Sequence, residues 1–133
     1  MDVSIIIVNY NTQKITSECI KSIIDKTSDV SYEIILVDNA STDGSKKLFE
    51  HDERITYVYN KNNRGFGYGN NRGMEIAKGK YFFLLNSDTI LLNNAIKEFF
   101  DYAENHKFKS VYGCYLIGET GEYACSFFYY PAF

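Results

Sequence analysis

Strand-like and helix-like segments alternate along residues 3–105, which predicts an α/β fold with a mostly parallel, doubly wound sheet and helices on both faces. Two further features agree. The strand candidates are short continuous apolar runs, as expected of strands covered on both faces. Asparagine, aspartate and serine gather directly after three of them, at residues 9–11, 38–43 and 86–88. In a parallel sheet these clusters share the carboxyl edge, where open α/β sheets collect their ligands.

Residues 3–8 (VSIIIV) are the first strand candidate. Over residues 12–26 the spacing becomes helical, with Ile15, Cys19, Ile20, Ile23 and Ile24 on one face and Lys14, Glu18 and Lys21 opposite. Residues 32–37 (YEIILV) form the second strand and stop at DNASTDG, whose Asp, Ser and Thr suit the start of a short helix to about residue 49. Residues 55–59 read as a third strand and 60–65 as a polar loop. A helix is expected over 66–78, although Gly67, Gly69 and Gly73 lower its intrinsic propensity. Residues 80–85 (KYFFLL) are the fourth strand, expected to be buried. Residues 94–105 are amphipathic, with Ala95, Ile96, Phe99, Phe100 and Ala103 inward. Residues 111–117 and 122–128 are expected to pair as a hairpin around Gly118 and Gly121.

The chain has 133 residues, enough for one domain with its own core. Residues 1–90 form its expected nucleotide-binding core, and 91–133 add a helix and the hairpin. A net charge of −3 gives no basic footprint for nucleic acid. The apolar runs are too short to span a bilayer, and MDVSIIIVNYN lacks the basic start of a secretory signal. Three cysteines, Cys19, Cys114 and Cys125, have neither metal-ligand spacing nor an even count, so reduced thiols in a cytoplasmic protein are expected. His51 and His106 fall in polar stretches and are expected at the surface. The ending SFFYYPAF is strongly aromatic; it is expected to self-associate, and to belong to a larger domain whose remainder follows it.

Asp88 follows a buried strand, and Asp38 follows another. Each alone suits a turn or a helix cap. Together, among amides and hydroxyls on one sheet edge, they describe a hard-oxygen site of the kind that holds Mg²⁺ with substrate phosphates. Tyr10 is expected to stack on a base while the Asp38 carboxylate accepts its imide N–H. The glycines of RGFGYGNNRG match neither a dinucleotide fingerprint nor a P-loop.

Three segments, VSIIIVNYN, EIILVDNASTDGS and NRGFGYGNNRGMEIAKGKYFFLLNSD, resemble in order and spacing the nucleotide-sugar-binding part of family 2 glycosyltransferases, with most similarity to the rhamnosyltransferase-like branch. The resemblance runs from residue 3 to about 131. It implies a GT-A fold and inverting transfer of a sugar from a nucleotide-diphosphate donor (dTDP-, UDP- or GDP-linked) to a glycan acceptor, in surface polysaccharide synthesis at the cytoplasmic side of a membrane. By the same resemblance Asn9, Tyr10 and Asn11 line the nucleoside pocket, and Asp38 reads the base. Asn39 stands where many relatives have a second aspartate, and Asn70 where many have arginine. In Asn86-Ser87-Asp88, which matches the family's D-x-D, Asn86 contacts the ribose and Asp88 holds Mg²⁺ or Mn²⁺. The general base is expected beyond Phe133, and Glu119 and Glu122 are expected in solvent. Because that base is missing and Asn86 replaces the first carboxylate of D-x-D, a nucleotide-binding or assembly module without transfer activity is the alternative reading. A nucleotidyltransferase is disfavoured, since no lysine-bearing glycine loop follows the first strand.

Overall fold

The computed structural model describes residues 1–106, 111–113, 116–118 and 120–124. Six strands and four helices follow in the order β1 (Val3–Asn9), α1 (Gln13–Lys26), β2 (Tyr32–Asp38), α2 (Ser45–Phe49), β3 (Thr56–Tyr59), α3 (Phe66–Met74), β4 (Tyr81–Asn86), α4 (Ala95–His106), β5 (Leu116–Ile117) and β6 (Tyr123–Ala124). The first four strands make one parallel sheet in the order β3-β2-β1-β4. The chain moves outward from β1 through β2 to β3, then crosses to the other side of β1 to lay down β4. The order therefore reverses between β1 and β4, and a crevice opens at such a switch point beyond the carboxyl ends of the strands.

Alternate residues of β1 supply two cores. Val3, Ile5 and Ile7 join Cys19, Ile20 and Ile23 of α1, Phe49 of α2 and Ile96 of α4 on one face. Ile6 packs with Ile35, Val37, Val58, Met74 and Ala77 on the other, under α3. Helices thus cover both faces, as expected. The glycines of α3 act through close approach: a Cβ on Gly69 would lie 2.7 Å from Val8 Cγ1, and one on Gly73 2.5 Å from Ile6 Cγ2. Lost propensity is offset by a helix seated directly on β1.

Four expectations are corrected. Helix α3 ends at Met74 rather than at residue 78, because the chain beyond it bonds elsewhere: the Lys78 N–H donates to Glu33 Oε1 at 2.7 Å and the Gly79 N–H to Ser4 Oγ at 2.8 Å. Ile15 is exposed, and Thr16 and Ser22 occupy the buried face of α1 instead. Each has a partner there, Thr16 bonding Asn9 and Ser22 bonding the Cys19 carbonyl. Strand β4 is covered on one face only: Phe83 and Leu85 join the core, whereas Phe82 and Leu84 are each 50% exposed. It is the outer strand of the sheet, and α3 lies over β1 and β2. Finally, the first hairpin strand does not begin at residue 111, while residues 114–115 and 125–128 of the expected hairpin lie outside the described residues. Among the described residues Leu116–Ile117 and Tyr123–Ala124 pair antiparallel, and residues 111–113 are not strand.

His51 and His106 are exposed, as expected. Cys114, Cys125, Glu119 and the aromatic segment 127–133 lie outside the described residues. Among the described residues no helix is long and apolar enough to cross a membrane.

Candidate functional site

A cavity of about 300 Å³ lies at the switch point. Val8 and Tyr10, Thr12 before α1 and Ser87 after β4 line it, the Thr12 and Ser87 hydroxyl oxygens 3.4 Å apart. Asn39 after β2, Asn63 and Gly65 before α3, and Phe66 at its start complete the lining. Tyr10 is 50% exposed, so its ring is available to a ligand. Gly65 has φ 90°, a left-handed conformation that disfavours a side chain.

The residues expected to line a nucleoside pocket divide into two groups. Tyr10 and Asn39 do line the cavity. Asn9 and Asp38 do not: both are fully buried, and their polar atoms are committed within the protein. Asp38 Oδ1 accepts the Ser41 N–H at 2.8 Å and Oδ2 accepts the Tyr57 hydroxyl at 2.6 Å. The expectation that Asp38 reads a base is therefore corrected; its carboxylate is turned to the α1 side of the sheet, where Leu36 and Tyr57 also point. The physical reason is alternation. Leu36 and Asp38 share one face, Val37 points to the other, and the chain must leave the strand before Asn39 can face the cavity.

Asn9 and Asn11 serve the same scaffold. Asn9 Oδ1 accepts the hydroxyls of Thr12 and Thr16, and its Nδ2 donates to Ser41 Oγ at 3.0 Å. Ser41 Oγ also accepts the Asn11 N–H at 2.9 Å, and Asn11 Oδ1 accepts the Thr42 N–H at 2.7 Å. Asn11 is exposed with φ 55° but lies outside the cavity lining. Asp43 joins the two loops from outside: its Oδ2 accepts the Gln13 N–H at the start of α1, and its Oδ1 accepts Ser45. Burial pushes the Asp43 carboxyl up, but the Ser45 hydroxyl and these N–H groups outweigh it and hold it below the usual carboxylate range. The two polar loops are thus one hydrogen-bonded unit beneath the cavity.

Asn39 is pinned from two sides, its Oδ1 accepting from Asn60 Nδ2 at 2.8 Å and its Nδ2 donating to the Gly65 carbonyl at 3.2 Å. One Nδ2 hydrogen remains for a ligand. Asn70, expected at the nucleotide, is instead buried within α3, lines no part of the cavity, and leaves its Oδ1 without a hydrogen-bond partner among the described residues. Asn86 ends β4 and is exposed, in register with Val8. Sequence reasoning missed Thr12, Asn63, Gly65, Phe66 and Ser87. Ser87 lay inside the quoted Asn86-Ser87-Asp88 motif, and Gly65-Phe66 opened the glycine-rich stretch that matched no known phosphate loop.

Asp88 sits in the turn after β4, exposed, with no hydrogen-bond or ion-pair partner among the described residues. Its charge reaches inward to Cys19. Burial first, and Asp88 second, push that thiol up to about 12, which keeps it protonated and inert. Among the described residues no three His, Cys, Asp or Glu side chains gather to hold a metal unaided. An unpaired carboxylate beside the Ser87 hydroxyl and the Asn86 amide oxygen fits a hard cation that takes its remaining ligands from water and phosphate.

The chain matches the family model described as glycosyl transferase family 2 over residues 4–127. It is 32% identical over 117 residues to glycosyltransferase GlyG of Streptococcus pneumoniae, covering 85% of this chain and 38% of that protein. Among solved structures it is similar to S. aureus TarS in complex with UDP, with a TM-score of 0.70 and 23% identity over 80% of this chain and 33% of that one. It is also similar to the mannosyltransferase PcManGT from Pyrobaculum calidifontis in complex with GDP-Man and Mn²⁺, with a TM-score of 0.61 and 24% identity over 69% of this chain and 29% of that one. At such identities the two structures establish the fold, and it is the GT-A arrangement expected from the sequence. The chain spans 35–38% of the length of the curated relatives it matches first. With a strand order that opens its crevice between β1 and β4, and a family match along nearly its whole length, this chain belongs to glycosyl transferase family 2.

Proposed function

We propose that this chain is the donor-binding part of an inverting, metal-assisted glycosyltransferase that takes a sugar from a nucleotide diphosphate to a glycan hydroxyl. One observation carries the reading: the switch-point cavity is lined by an exposed aromatic ring, Tyr10, and by Ser87, the residue before the exposed Asp88 in the turn after β4. Tyr10 stacks on the base, and the free Nδ2 hydrogen of Asn39 donates to a base carbonyl. The Ser87 hydroxyl donates to a phosphate oxygen, whereas the neighbouring Thr12 hydroxyl stays committed to Asn9 Oδ1. Asp88, with Asn86 and Ser87 beside it, holds Mg²⁺ or Mn²⁺; when bound, the ion offsets negative charge on the departing diphosphate. None of the cavity-lining residues is a carboxylate, so proton removal from the acceptor is assigned to no described residue.

The ligands of the solved neighbours, UDP in one and GDP-Man with Mn²⁺ in the other, support the nucleotide-diphosphate class. The resemblance of the three quoted segments to the rhamnosyltransferase-like branch makes dTDP-rhamnose the first donor to test. Calorimetry with UDP, dTDP and GDP, with and without Mn²⁺, tests the site. Metal-dependent binding that Asp88→Ala abolishes supports it, and equal binding by that variant refutes the metal role. The second reading, a module that binds nucleotide without transferring sugar, is favoured by Asn86 standing where the family has its first D-x-D carboxylate. Nucleotide binding without any sugar transfer, in the chain joined to whatever follows it, would select that reading.

A further inference from the structure

We propose that a second cavity, on the opposite side of the 60–65 loop, binds the phosphate group of a phosphorylated sugar or polyol distinct from the nucleotide donor. The cavity measures about 260 Å³. The loop is a wall between the two sites: Asn63 and Gly65 face the donor cavity, whereas Asn62 and Arg64 face the second. Lys61 and Arg72 complete a set of three cations in its lining, which contains no carboxylate.

Three cations thus gather in one lining of a chain whose net charge is −3. Lys21, Arg54, Lys80 and Lys97 each pair with a nearby carboxylate. Around the second cavity only Arg72 does so, through Glu75, and one carboxylate uses few of the five guanidinium donors. Among the described residues, Lys61 and Arg64 have no acidic partner within ion-pair distance.

Arg64 is also held in place. Its guanidinium carbon lies 4.3 Å from the centroid of the Tyr68 ring, a cation–π contact that fixes the plane and leaves the N–H edges free. Lys46 Nζ sits 4.8 Å from the centre of the Tyr59 ring at the rim. One face of each ring is therefore occupied by a cation, which leaves less of a stacking platform for a nucleobase. Fixed guanidinium forks, an ammonium and the Asn62 amide suit a tetrahedral oxyanion with several acceptor oxygens. The volume exceeds that of a bare phosphate and leaves room for an attached polyol or sugar unit. Asn60 links the sites, lining the second cavity while its amide donates to Asn39 in the first.

The test is ¹H–¹⁵N correlation spectroscopy of the full chain titrated with glycerol 3-phosphate and, separately, inorganic phosphate. Backbone amides of residues 60–64 and the Arg64 and Arg72 side chains are expected to shift, with shifts unchanged in Tyr10→Ala, which alters only the donor cavity. Lys61→Gln combined with Arg64→Gln is expected to weaken binding at least about tenfold while the rest of the spectrum shows an intact fold. Arg64→Lys, which keeps the charge and loses the fork, should fall between. Saturation by inorganic phosphate with no gain from the glycerol ester would overturn the phosphorylated-polyol assignment. Shifts that persist in the double variant, or none at tens of millimolar ligand, would overturn the site itself. Either result leaves donor binding at the first cavity untouched, so the two readings fail separately.

Discussion

The Tyr57 hydroxyl donates to Asp38 Oδ2 at 2.6 Å, and the Ser41 N–H donates to the other oxygen of the same carboxylate at 2.8 Å. One buried charge thereby ties the outer strand β3 to the loop that supports Asn9 and Asn11. A hydrogen bond to a charged group contributes about 1.5–3 kcal/mol, and removing one partner leaves the other under-satisfied. Tyr57→Phe and Asp38→Asn are expected to lower unfolding free energy by about 1–3 kcal/mol in urea titrations. Nucleotide affinity should change less than it does in Tyr10→Ala. Loss of affinity in Asp38→Asn at full stability would mean that the carboxylate does reach the ligand.

The same pair predicts an alkaline limit. Burial, and then the bond to Asp38, push the Tyr57 phenol above its usual value of 10.0. The folded state then holds this proton more tightly than the unfolded chain, so stability is full below pH 10 and falls as pH rises above it. Tyr32 and Tyr81 are shifted the same way, so the Tyr57 share is read by difference. Urea midpoints of Tyr57→Phe should fall less steeply above pH 10 than those of the parent.

Tyr10 and Asn9 are adjacent in sequence and opposite in role. Tyr10 is half exposed on the cavity, whereas Asn9 is buried in the loop network. Tyr10→Ala is expected to weaken nucleotide binding roughly tenfold with a stability change within about 0.5 kcal/mol. Asn9→Ala should cost about 1–3 kcal/mol of stability by stranding the Thr16 and Ser41 hydroxyls. Calorimetry with UDP and urea unfolding on both variants separate the effects.

Packing of α3 on β1 leaves no room at Gly73, where a Cβ would come within 2.5 Å of Ile6 Cγ2. Gly73→Ala is expected to destabilise by about 1–3 kcal/mol despite the better helix propensity of alanine. Ile6→Ala removes the opposing methyl and should cost about 2–5 kcal/mol alone. Thermal unfolding of the double variant should show a loss at least about 0.5 kcal/mol smaller than the two single losses combined.

Leu84 and Leu85 are neighbours on β4 with unequal surroundings, 50% and 8% exposed. Leu85→Ala is expected to cost about 2–5 kcal/mol and Leu84→Ala under about 1 kcal/mol. Equal losses in chemical denaturation would mean that the outer face of β4 is covered in solution.

Much of the architecture was already written in local pattern. The runs VSIIIV and YEIILV have strand length and β-branched content, and the period changes at Thr12 from continuous to helical. The polar clusters after them had to share an edge once the strands were parallel, so the place of the cavity followed from order alone. The direction of each side chain did not. Whether Asp38 or Asn39 faces the cavity depends on where β2 stops, and a single residue inverts the face. Ile15 lost its buried place to Thr16 because Asn9, distant in neither sequence nor space, offered that hydroxyl a bond. The uncovered side of β4 and the split of residues 62–65 between two cavities arise from contacts between segments far apart in the chain. Periodicity reports how a segment presents its own faces; what stands opposite each face is set by the packing of the other elements against it.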